Sequence, residues 1–342
     1  MKRVLVGMSG GVDSTVTAIL LQEQGYSVEG VYMVMHNLKE LNDANIEKAK
    51  KVSSFLNIPL HIHNIEDSFK EEVYDYFVKS YQDGLTPNPC VICNRKIKFG
   101  KMVEFADSLG IEKISTGHYI RIKDGFIYKG LDDSKDQSYF LAEVKKEVIN
   151  KAIFPLGDWL KSDVKEYASK IEVLKDISTQ KESSEICFVE NSYIDILKRH
   201  TNTDKKGIVR DIEGKEIGDH KGFMHYTIGK RRGFFVKGAH DPHYVIDIDS
   251  KSNTLIVGKK DDLAKKTIVI SNINLFIDSK DFDATVKVRY RTKGTFGNIK
   301  IDKDIGIIEL NEPEFGVAKG QFAVFYDNDK LLGGGEIIDI LD

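Results

Sequence analysis

The chain contains little cysteine, proline or tryptophan, with three, six and one of these residues among 342. Three cysteines in so long a chain do not build a disulfide framework, so we expect a reducing cytoplasm and treat the thiols as candidates for chemistry. No apolar run is long enough to cross a bilayer and we find no signal peptide, so no membrane partner is expected. The formal charge of -3 gives no overall attraction to nucleic acid, and RNA binding would depend on local patches.

The N-terminal segment predicts a strand, a glycine-containing loop and a helix. Residues 4–8 are apolar and predict a buried strand, and helical spacing then runs from Val12 to Gln24. Backbone amides at a helix start are unpaired and carry partial positive charge, so the intervening loop is an anion site. Gly10 and Gly11 would let a phosphate approach closely.

Side chains of the same loop indicate which class of phosphate-binding site it could form. Ser9 and Ser14 offer hydroxyl donors, and Asp13 would cap the helix or hold Mg²⁺. The lysine of a Walker motif is missing and the G-x-G-x-x-G pattern does not fit. The loop therefore argues against a kinase-like phosphate cradle and against a dinucleotide fold.

The first half of the chain alternates strands with helices. Further strands are predicted at residues 28–33, 60–62 and 114–116, which indicates an α/β domain with a mainly parallel sheet and helices on both faces. Ligands bind at the carboxyl ends of such strands. We therefore expect the Ser9 loop, Met33 and Gly117 to converge.

A proline-rich loop at residues 84–93 carries two of the thiols. Asn94 is the expected cap of the next helix, which would place Cys93 at a helix start beside basic residues, where a thiolate is favoured. Cys90 and Cys93 could also form half of a zinc site, although no second pair follows. Cys187 lies in an apolar setting, where a buried inert cysteine is the default.

The second half of the chain changes character after Arg199. Residues 207–218 predict a hairpin, and strands dominate from Thr267 onwards, which predicts a small closed antiparallel barrel. A basic run at residues 230–232 favours contact with a phosphate backbone. Arg289, Arg291 and Lys293 would alternate along one strand and share a face, binding RNA or forming surface ion pairs. The predicted domains are the α/β domain at 1–199, a small, mostly β central domain at 200–266 and a C-terminal β-barrel at 267–342.

Several motifs recur in one order along the chain. They are Ser9–Ser14, Thr86–Pro89, Cys93-Asn94, Ile97–Phe99, Thr116–Tyr119, Lys135–Leu141, Ile186–Phe188 and Tyr226–Gly229. The loop resembles the pyrophosphate loop of ATP-pyrophosphatases, the PP-loop enzymes. The ordered set resembles the MnmA family, the bacterial tRNA-specific 2-thiouridylases, over essentially the whole chain.

This resemblance implies a role for each matching position. ATP would be held by Gly7, Met8, Ser9, Gly10, Gly11, Val12, Asp13, Ser14, Met33 and Gly117. Cys93 would be the nucleophile and Cys187 the persulfide carrier. Asn88, Pro89 and Cys90 would contact the target base. The remaining tRNA contacts would be His118, Lys135, Asp136, Gln137, Arg289, Tyr290, Arg291 and Gln321.

The implied reaction replaces the C2 oxygen of wobble uridine 34 with sulfur, using ATP and Mg²⁺. Glu, Gln and Lys tRNAs would be the substrates, and a sulfur-relay protein or a cysteine desulfurase would supply the sulfur. Many members carry Asp at the position of Cys90, whereas this chain has three thiols that could converge. Because some related tRNA thiolases hold a [4Fe-4S] cluster on three cysteines, a cluster on Cys90, Cys93 and Cys187 is an alternative. The sequence also leaves open a PP-loop ligase that forms lysidine or argininosuccinate, which would not need Cys187, and a plain RNA-binding module, which would not need the Ser9 loop.

Overall fold

The structure is a computed structural model that describes residues 2–175, 186–189, 191–238 and 241–341. The chain divides into two compact units. The first comprises Met1–Val73, Cys90–Ser184 and Asp329–Leu331. The second comprises Tyr74–Pro89, Glu185–Asn328 and Leu332–Asp342.

The first unit is built on a five-stranded parallel sheet. Its strands are β1 (Arg3–Gly7), β2 (Ser27–Val34), β3 (Leu60–Asn64), β4 (Lys113–Ser115) and β7 (Ala152–Ile153), in the order β3-β2-β1-β4-β7. Val4, Leu5 and Val6 are all fully buried. Because neighbouring residues of a strand point to opposite faces, both faces of the central strand are covered. The predicted parallel α/β domain is confirmed.

Helices separate and follow these strands along the chain. They are α1 (Val12–Glu23), α2 (Lys39–Leu56), α3 (Glu66–Phe69), π1 (Lys70–Tyr74), α4 (Asp75–Gln82), α5 (Pro89–Cys93), π2 (Asn94–Lys101), α6 (Met102–Ser108), α7 (Lys146–Ile149) and α8 (Lys161–Ser169). A hairpin of β5 (Ile120–Lys123) and β6 (Phe126–Lys129) turns at Asp124 and Gly125, both with positive φ.

One helix start was predicted wrongly. Asn94 does not cap a helix: the helical segment begins at Pro89, and Asn94 lies inside it, donating from Nδ2 to the carbonyl of Cys90 at 2.9 Å. Proline suits a first helical turn, because its fixed φ is helical and the amide it lacks would be unpaired there. Cys93 is therefore one turn inside the helix and not at its start.

The second unit is mainly β. After α9 (Tyr193–Lys198), a five-stranded sheet has the order β10-β9-β8-β12-β11. These strands are β8 (Gly207–Arg210), β9 (Glu216–His220), β10 (Phe234–Val236), β11 (Tyr244–Asp249) and β12 (Thr254–Gly258). The predicted hairpin at residues 207–218 is confirmed by the antiparallel pairing of β8 with β9.

The last six strands form the predicted closed barrel. They are β13 (Ala264–Leu275), β14 (Asp281–Lys287), β15 (Thr295–Asp302), β16 (Ile305–Phe315), β17 (Phe322–Asp327) and β18 (Lys330–Leu341). The order is β13-β16-β15-β14-β17-β18, and pairing of β13 with β18 closes it around a core that includes Ile268, Val286 and Phe325.

The proposed basic face of one barrel strand is wrong. Strand β14 ends at Lys287, and Arg289, Arg291 and Lys293 lie in the loop that follows. The amide of Thr292 donates to the carbonyl of Arg289 at 3.2 Å, which closes a turn there. Alternation of basic residues over a turn does not place them on a common face.

Across the described residues, no helix combines the length and apolar character that a membrane crossing needs. The α/β domain, the β-rich middle and the C-terminal barrel follow each other along the chain as predicted. The domain limits 1–199, 200–266 and 267–342 stay a prediction.

Candidate active site

The loop between β1 and α1 has the shape of an anion cradle. Gly10 has φ +74°, and a Cβ built on it would lie 2.7 Å from the Cβ of Lys48 on α2, so only glycine fits there. Gly11 precedes the first turn of α1, and no side chain caps that turn. The first amides of α1 are therefore left for a ligand, and a phosphate is the group that such a helix start favours.

Hydroxyl groups hold this loop in place. The Oγ of Ser14 donates to the carbonyl of Gly11 at 3.1 Å and lies 3.3 Å from both the amide and the Oγ of Ser9. The Oγ1 of Thr15 donates to the same Gly11 carbonyl at 2.9 Å. Ser14 is buried whereas Ser9 is exposed, so Ser9 can turn its hydroxyl to a ligand.

Asp13 is engaged by residues far along the chain. The Nζ of Lys161 donates to both its carboxylate oxygens, at 2.6 and 2.7 Å, and the hydroxyl of Tyr119 donates to Oδ1 at 2.8 Å. Asp13 lies in the first turn of α1 but makes no capping bond, so the expected cap is not formed. The sequence did not predict a role for Lys161, because the segment around this residue carries no motif.

The predicted convergence at the sheet edge is found for Gly117. A Cβ on Gly117 would lie 2.9 Å from the Cβ of Asp13 and 3.2 Å from the amide of Ser14. Gly117 thus touches the start of α1 directly. Met33 lies near the end of β2, two residues beyond Val31, which pairs with Gly7 at the end of β1. Both positions border the loop's edge of the sheet.

Cys90 and Cys93 occupy one turn of helix in the first unit. Cys93 is 6% exposed and Cys90 is half-buried. The helix passes from α to π geometry at Asn94, directly after Cys93, and such π segments occur frequently at functional sites. The Oδ1 of Asn94 is buried and meets no hydrogen-bond partner within the described part of the chain.

Cys187 stands on a short turn of the second unit. The amide of Val189 donates to the carbonyl of Ile186 at 2.9 Å, and between them Cys187 is exposed while Phe188 is 7% exposed. The default of a buried inert cysteine is therefore wrong for this residue. An exposed thiol can meet an external reagent.

The proline-rich loop of the second unit is fixed by Gln321. The Nε2 of this buried side chain donates to the carbonyls of Thr86 and Pro87 at 2.9 and 3.1 Å, and the amide of Thr86 donates to the carbonyl of Lys319 at 2.9 Å. Pro87 and Pro89 are buried and Asn88 is half-buried. Gln321 thus supports the loop that bears the predicted base contacts.

His118 and Asp136 are buried inside the first unit. Burial, together with the positive charge of Lys98, holds the pKa of His118 well below 6.5, and its Nδ1 lies 2.7 Å from the Oγ1 of Thr116. Asp136 accepts from the amides of Gly130 and Ser138 at 3.2 and 3.0 Å. These contacts organise the protein's own loops.

Lys135 and Gln137 are half-buried on either side of Asp136. The Oε1 of Gln137 accepts from the amide of Tyr119 at 3.1 Å, and the amide of Lys135 donates to the carbonyl of Asp132 at 2.9 Å. The segment 135–137 is therefore tied to the residues that adjoin Asp13 and Lys161.

The basic positions of the second unit differ in exposure. Arg231, Arg232 and Arg291 are exposed, whereas Tyr290 and Arg289 are half-buried. The Nη2 of Arg289 donates to the carbonyl of Ile228 at 3.3 Å. Exposed arginines at 231, 232 and 291 suit phosphate contacts, while Arg289 braces the segment after Tyr226.

No group of three or more His, Cys, Asp or Glu side chains is arranged to hold a metal ion among the described residues. All three cysteines are described, and none is in a disulfide. Neither the zinc site nor the iron-sulfur cluster considered from the sequence gains support from this arrangement.

The fold and the loop define a class. A parallel sheet whose first strand leads through a glycine- and serine-rich loop into an uncapped helix is a nucleotide-binding domain of PP-loop type, here joined to β domains. Family models match all three parts: a tRNA methyl transferase HUP domain over residues 2–191, a tRNA methyl transferase PRC-barrel domain over 194–259 and an aminomethyltransferase beta-barrel domain over 265–337.

Curated relatives match the chain along its whole length. A protein of Campylobacter lari named tRNA-specific 2-thiouridylase MnmA is 54% identical over 337 residues, covering 98% of this chain and 99% of the relative. Proteins of the same name from Nitratiruptor and Sulfurimonas denitrificans are 53% and 52% identical, with 98% and 99% of this chain covered and 99% of each relative. The chain belongs to the MnmA family of tRNA-specific 2-thiouridylases.

Proposed function

We propose that this protein catalyses ATP-dependent 2-thiolation of the wobble uridine of tRNA, producing 2-thiouridine, AMP and pyrophosphate. The observation that carries the proposal is the full-length match to relatives named 2-thiouridylases in a chain that pairs a phosphate cradle with an exposed thiol. The matching family description names a methyl transferase. Sulfur chemistry is favoured over methyl transfer, because it gives a role to Cys93 and Cys187, the cysteines in the family's motifs.

ATP would lie with its phosphates on the loop. The backbone from Gly7 to Ser14 would hold the phosphates, Mg²⁺ would screen them, and Met33 and Gly117 would border the nucleoside. A uridine carbonyl oxygen is a poor leaving group. Reaction with ATP converts the C2 oxygen into part of an AMP group, which leaves readily. The C2 oxygen attacks the α-phosphate, pyrophosphate leaves onto the loop amides, and C2 becomes open to a nucleophile.

The two thiols divide the sulfur step. Cys187 would carry a persulfide whose terminal sulfur comes from a sulfur-relay protein or a cysteine desulfurase. Cys93 would act first as acid or base. It would then attack the inner sulfur of the persulfide, either to release the terminal sulfur as sulfide that adds to C2, or to release it after the persulfide itself has added to C2. On both routes AMP leaves from C2, a Cys93–Cys187 disulfide is formed, and an external thiol must reduce that disulfide before the next turnover.

The target uridine must leave the anticodon stack before its C2 oxygen can react. Asn88, Pro89 and Cys90 would contact the displaced base, and the hold of Gln321 on the preceding carbonyls gives this wall rigidity. Lys135, Gln137, Tyr290 and Arg291 complete the proposed tRNA-binding set. His118, Asp136 and Arg289, predicted from the sequence as tRNA contacts, would support this set through their bonds within the protein. Glu, Gln and Lys tRNAs in the cytoplasm are the expected substrates.

The decisive experiment changes Cys187 to Ser. Purified wild-type and C187S protein are incubated with ATP, unmodified tRNA and a persulfide donor, and nucleosides are measured by mass spectrometry. Wild-type protein should form 2-thiouridine at position 34, and C187S should form none while ATP binding by calorimetry stays equal. Thiolation by C187S at the wild-type rate would remove the persulfide role.

A second measurement separates the class from other PP-loop ligases. Wobble uridines of cells that lack this protein should lose the 2-thio group and regain it with the wild-type gene. Unchanged 2-thiouridine in those cells would reject the proposed function.

A further inference from the structure

Two neighbouring residues of the turn at Ile186–Val189 have opposite environments. Cys187 is exposed, and the next side chain, Phe188, is 7% exposed. The amide of Val189 donates to the carbonyl of Ile186 at 2.9 Å, which closes the turn on itself and does not attach it to the rest of the unit. The buried phenyl ring is therefore a main attachment of this turn to the second unit.

The ring of Phe188 sits between two aromatic rings of one helical segment. Its centroid is 5.2 Å from that of Phe77 with the planes at 88°, and 5.7 Å from that of Tyr74 with the planes at 56°. The pair with Phe77 is edge-to-face, and such pairs stabilise by about 0.5–1.5 kcal/mol beyond the area they bury. Phe77 is fully buried, so this side of the pocket is rigid.

Both partner rings are themselves fixed. The Tyr74 hydroxyl lies 2.9 Å from Nε2 of His200, and the two rings are 5.5 Å apart. Phe77 packs edge-on against Tyr81 at 5.1 Å, and Tyr81 stacks on Tyr193 at 4.6 Å. The pocket of Phe188 is thus built from α4, the end of π1 and the segment around α9, all within the second unit.

We propose that Phe188 is a positioning residue whose ring, held by Tyr74 and Phe77, anchors the turn so that Cys187 faces solvent where a sulfur donor can load it. This inference rests on the proposed function. An unanchored turn would present its thiol in many orientations, and reacting atoms that are misplaced by about 1 Å can lose a hundredfold in rate. Phe188 would thus keep the Cys187 sulfur accessible to the donor without itself contacting the substrate.

The test compares Phe188→Ala and Phe188→Leu with a matched control, Phe282→Ala. Phe282 also makes an edge contact in the second unit, with Phe325 at 5.8 Å, but belongs to the barrel strand β14. Steady-state thiolation should show kcat about 10- to 100-fold lower in F188A with the KM values for ATP and tRNA unchanged. F188L, which keeps apolar volume, should recover most of the rate, and F282A should match wild type.

A second readout follows the thiols directly. Folded proteins are treated with iodoacetamide, and the labelling rates of Cys187 and Cys90 are measured by peptide mass spectrometry. F188A should change the Cys187 rate several-fold while the Cys90 rate stays constant, because a general loss of structure would change both. F282A should leave both rates at wild-type values.

Three results would overturn the inference: wild-type kcat in F188A, equal losses in F188A and F282A, or parallel changes in the labelling of Cys187 and Cys90. If the wild-type protein forms no 2-thiouridine, the proposed function fails instead. The labelling comparison needs no turnover, so it still decides whether Phe188 anchors the turn.

Discussion

Lys161 holds the carboxylate of Asp13 in the phosphate loop by both its oxygens, at 2.6 and 2.7 Å. The two side chains are 10% and 34% exposed, and the Nζ also lies 5.5 Å above the ring of Tyr119. The pair places a buried positive charge beside the first turn of α1. It neutralises a carboxylate that would otherwise repel an incoming triphosphate.

Replacing Lys161 by Met should weaken both the fold and nucleotide binding. Loss of the positive charge beside Asp13 should lower the free energy of unfolding by about 2 kcal/mol, less than for a fully buried pair because Asp13 is partly exposed and keeps its bond from Tyr119. The affinity for ATP should fall at least tenfold. Urea unfolding followed by the fluorescence of Trp159, the one tryptophan of the chain, and calorimetry with ATP measure the two effects.

Lys170→Met is the control for this change. Its exposed pair with Glu166 lies on the same helical segment, and its loss should alter stability by less than about 0.5 kcal/mol and leave ATP affinity intact. Equal ATP affinities for K161M and wild type would show that the Lys161 charge does not serve the nucleotide.

Gly10→Ala should abolish productive ATP binding. Its Cβ would meet Lys48 at 2.7 Å, so the loop must move, in addition to the cost of a positive φ. Gly110→Ala isolates that cost, because Gly110 also has positive φ, +67°, but open space around its Cβ. G110A should lose about 1 kcal/mol of stability and G10A more than G110A, and G10A alone should lose more than tenfold in ATP affinity. Similar ATP affinities in both would mean that the clash is relieved without moving the loop.

Local patterns predicted the parallel sheet and the anion loop, because an apolar run, two glycines and a helix-spaced stripe lie within twenty-odd residues. The pair of Lys161 with Asp13 was not predictable, since 148 positions separate the two residues and neither segment indicates the other. The basic positions from Arg289 to Lys293 misled for a related reason. Alternation alone cannot distinguish a strand from a turn, and Gly294 with φ +91° lies in this loop.

Gln321→Ala should loosen the loop that we propose as the wall of the base pocket. The carbonyls of Thr86 and Pro87 would lose their donor, at a cost of about 1–3 kcal/mol, and the KM for tRNA should rise several-fold with ATP affinity unchanged. Asn298→Ala is the control. It removes hydrogen bonds that the side-chain amide donates to the exposed carboxylates of Asp281 and Asp283, and it should leave the KM for tRNA unchanged. A wild-type KM in Q321A would mean that the loop keeps its position without Gln321.

Cys90→Ser separates the two sulfur mechanisms. With a persulfide on Cys187, C90S should raise the KM for tRNA several-fold and keep kcat, whereas Cys93→Ser should eliminate thiolation. A cluster on all three thiols would make both variants inactive. Iron and sulfide are measured in anaerobically purified wild-type protein, and stoichiometric amounts of both would replace the persulfide route with the cluster route.

The buried imidazole of His118 should make the first unit sensitive to acid. Because burial and Lys98 hold the pKa of His118 well below 6.5, the unfolded state binds more protons than the folded state as the pH falls below 6.5. The contribution of His118 is thus fully present above pH 6.5 and decreases by about 1.4 kcal/mol per pH unit below it. Unfolding followed by Trp159 fluorescence between pH 5 and 7.5 measures the slope.

His118→Gln removes the titrating ring, so its stability should depend less on pH by about this amount. Val164→Ala is the control: this fully buried residue of the first unit does not titrate, and its truncation should lower stability by about 2 kcal/mol at every pH. The KM and kcat of H118Q are measured separately at pH 7.5, where the His118 ring of the wild-type protein is neutral. A change in either constant at this pH therefore reports on lost contacts of the ring and not on its charge. A wild-type slope in H118Q would assign the acid sensitivity to other groups.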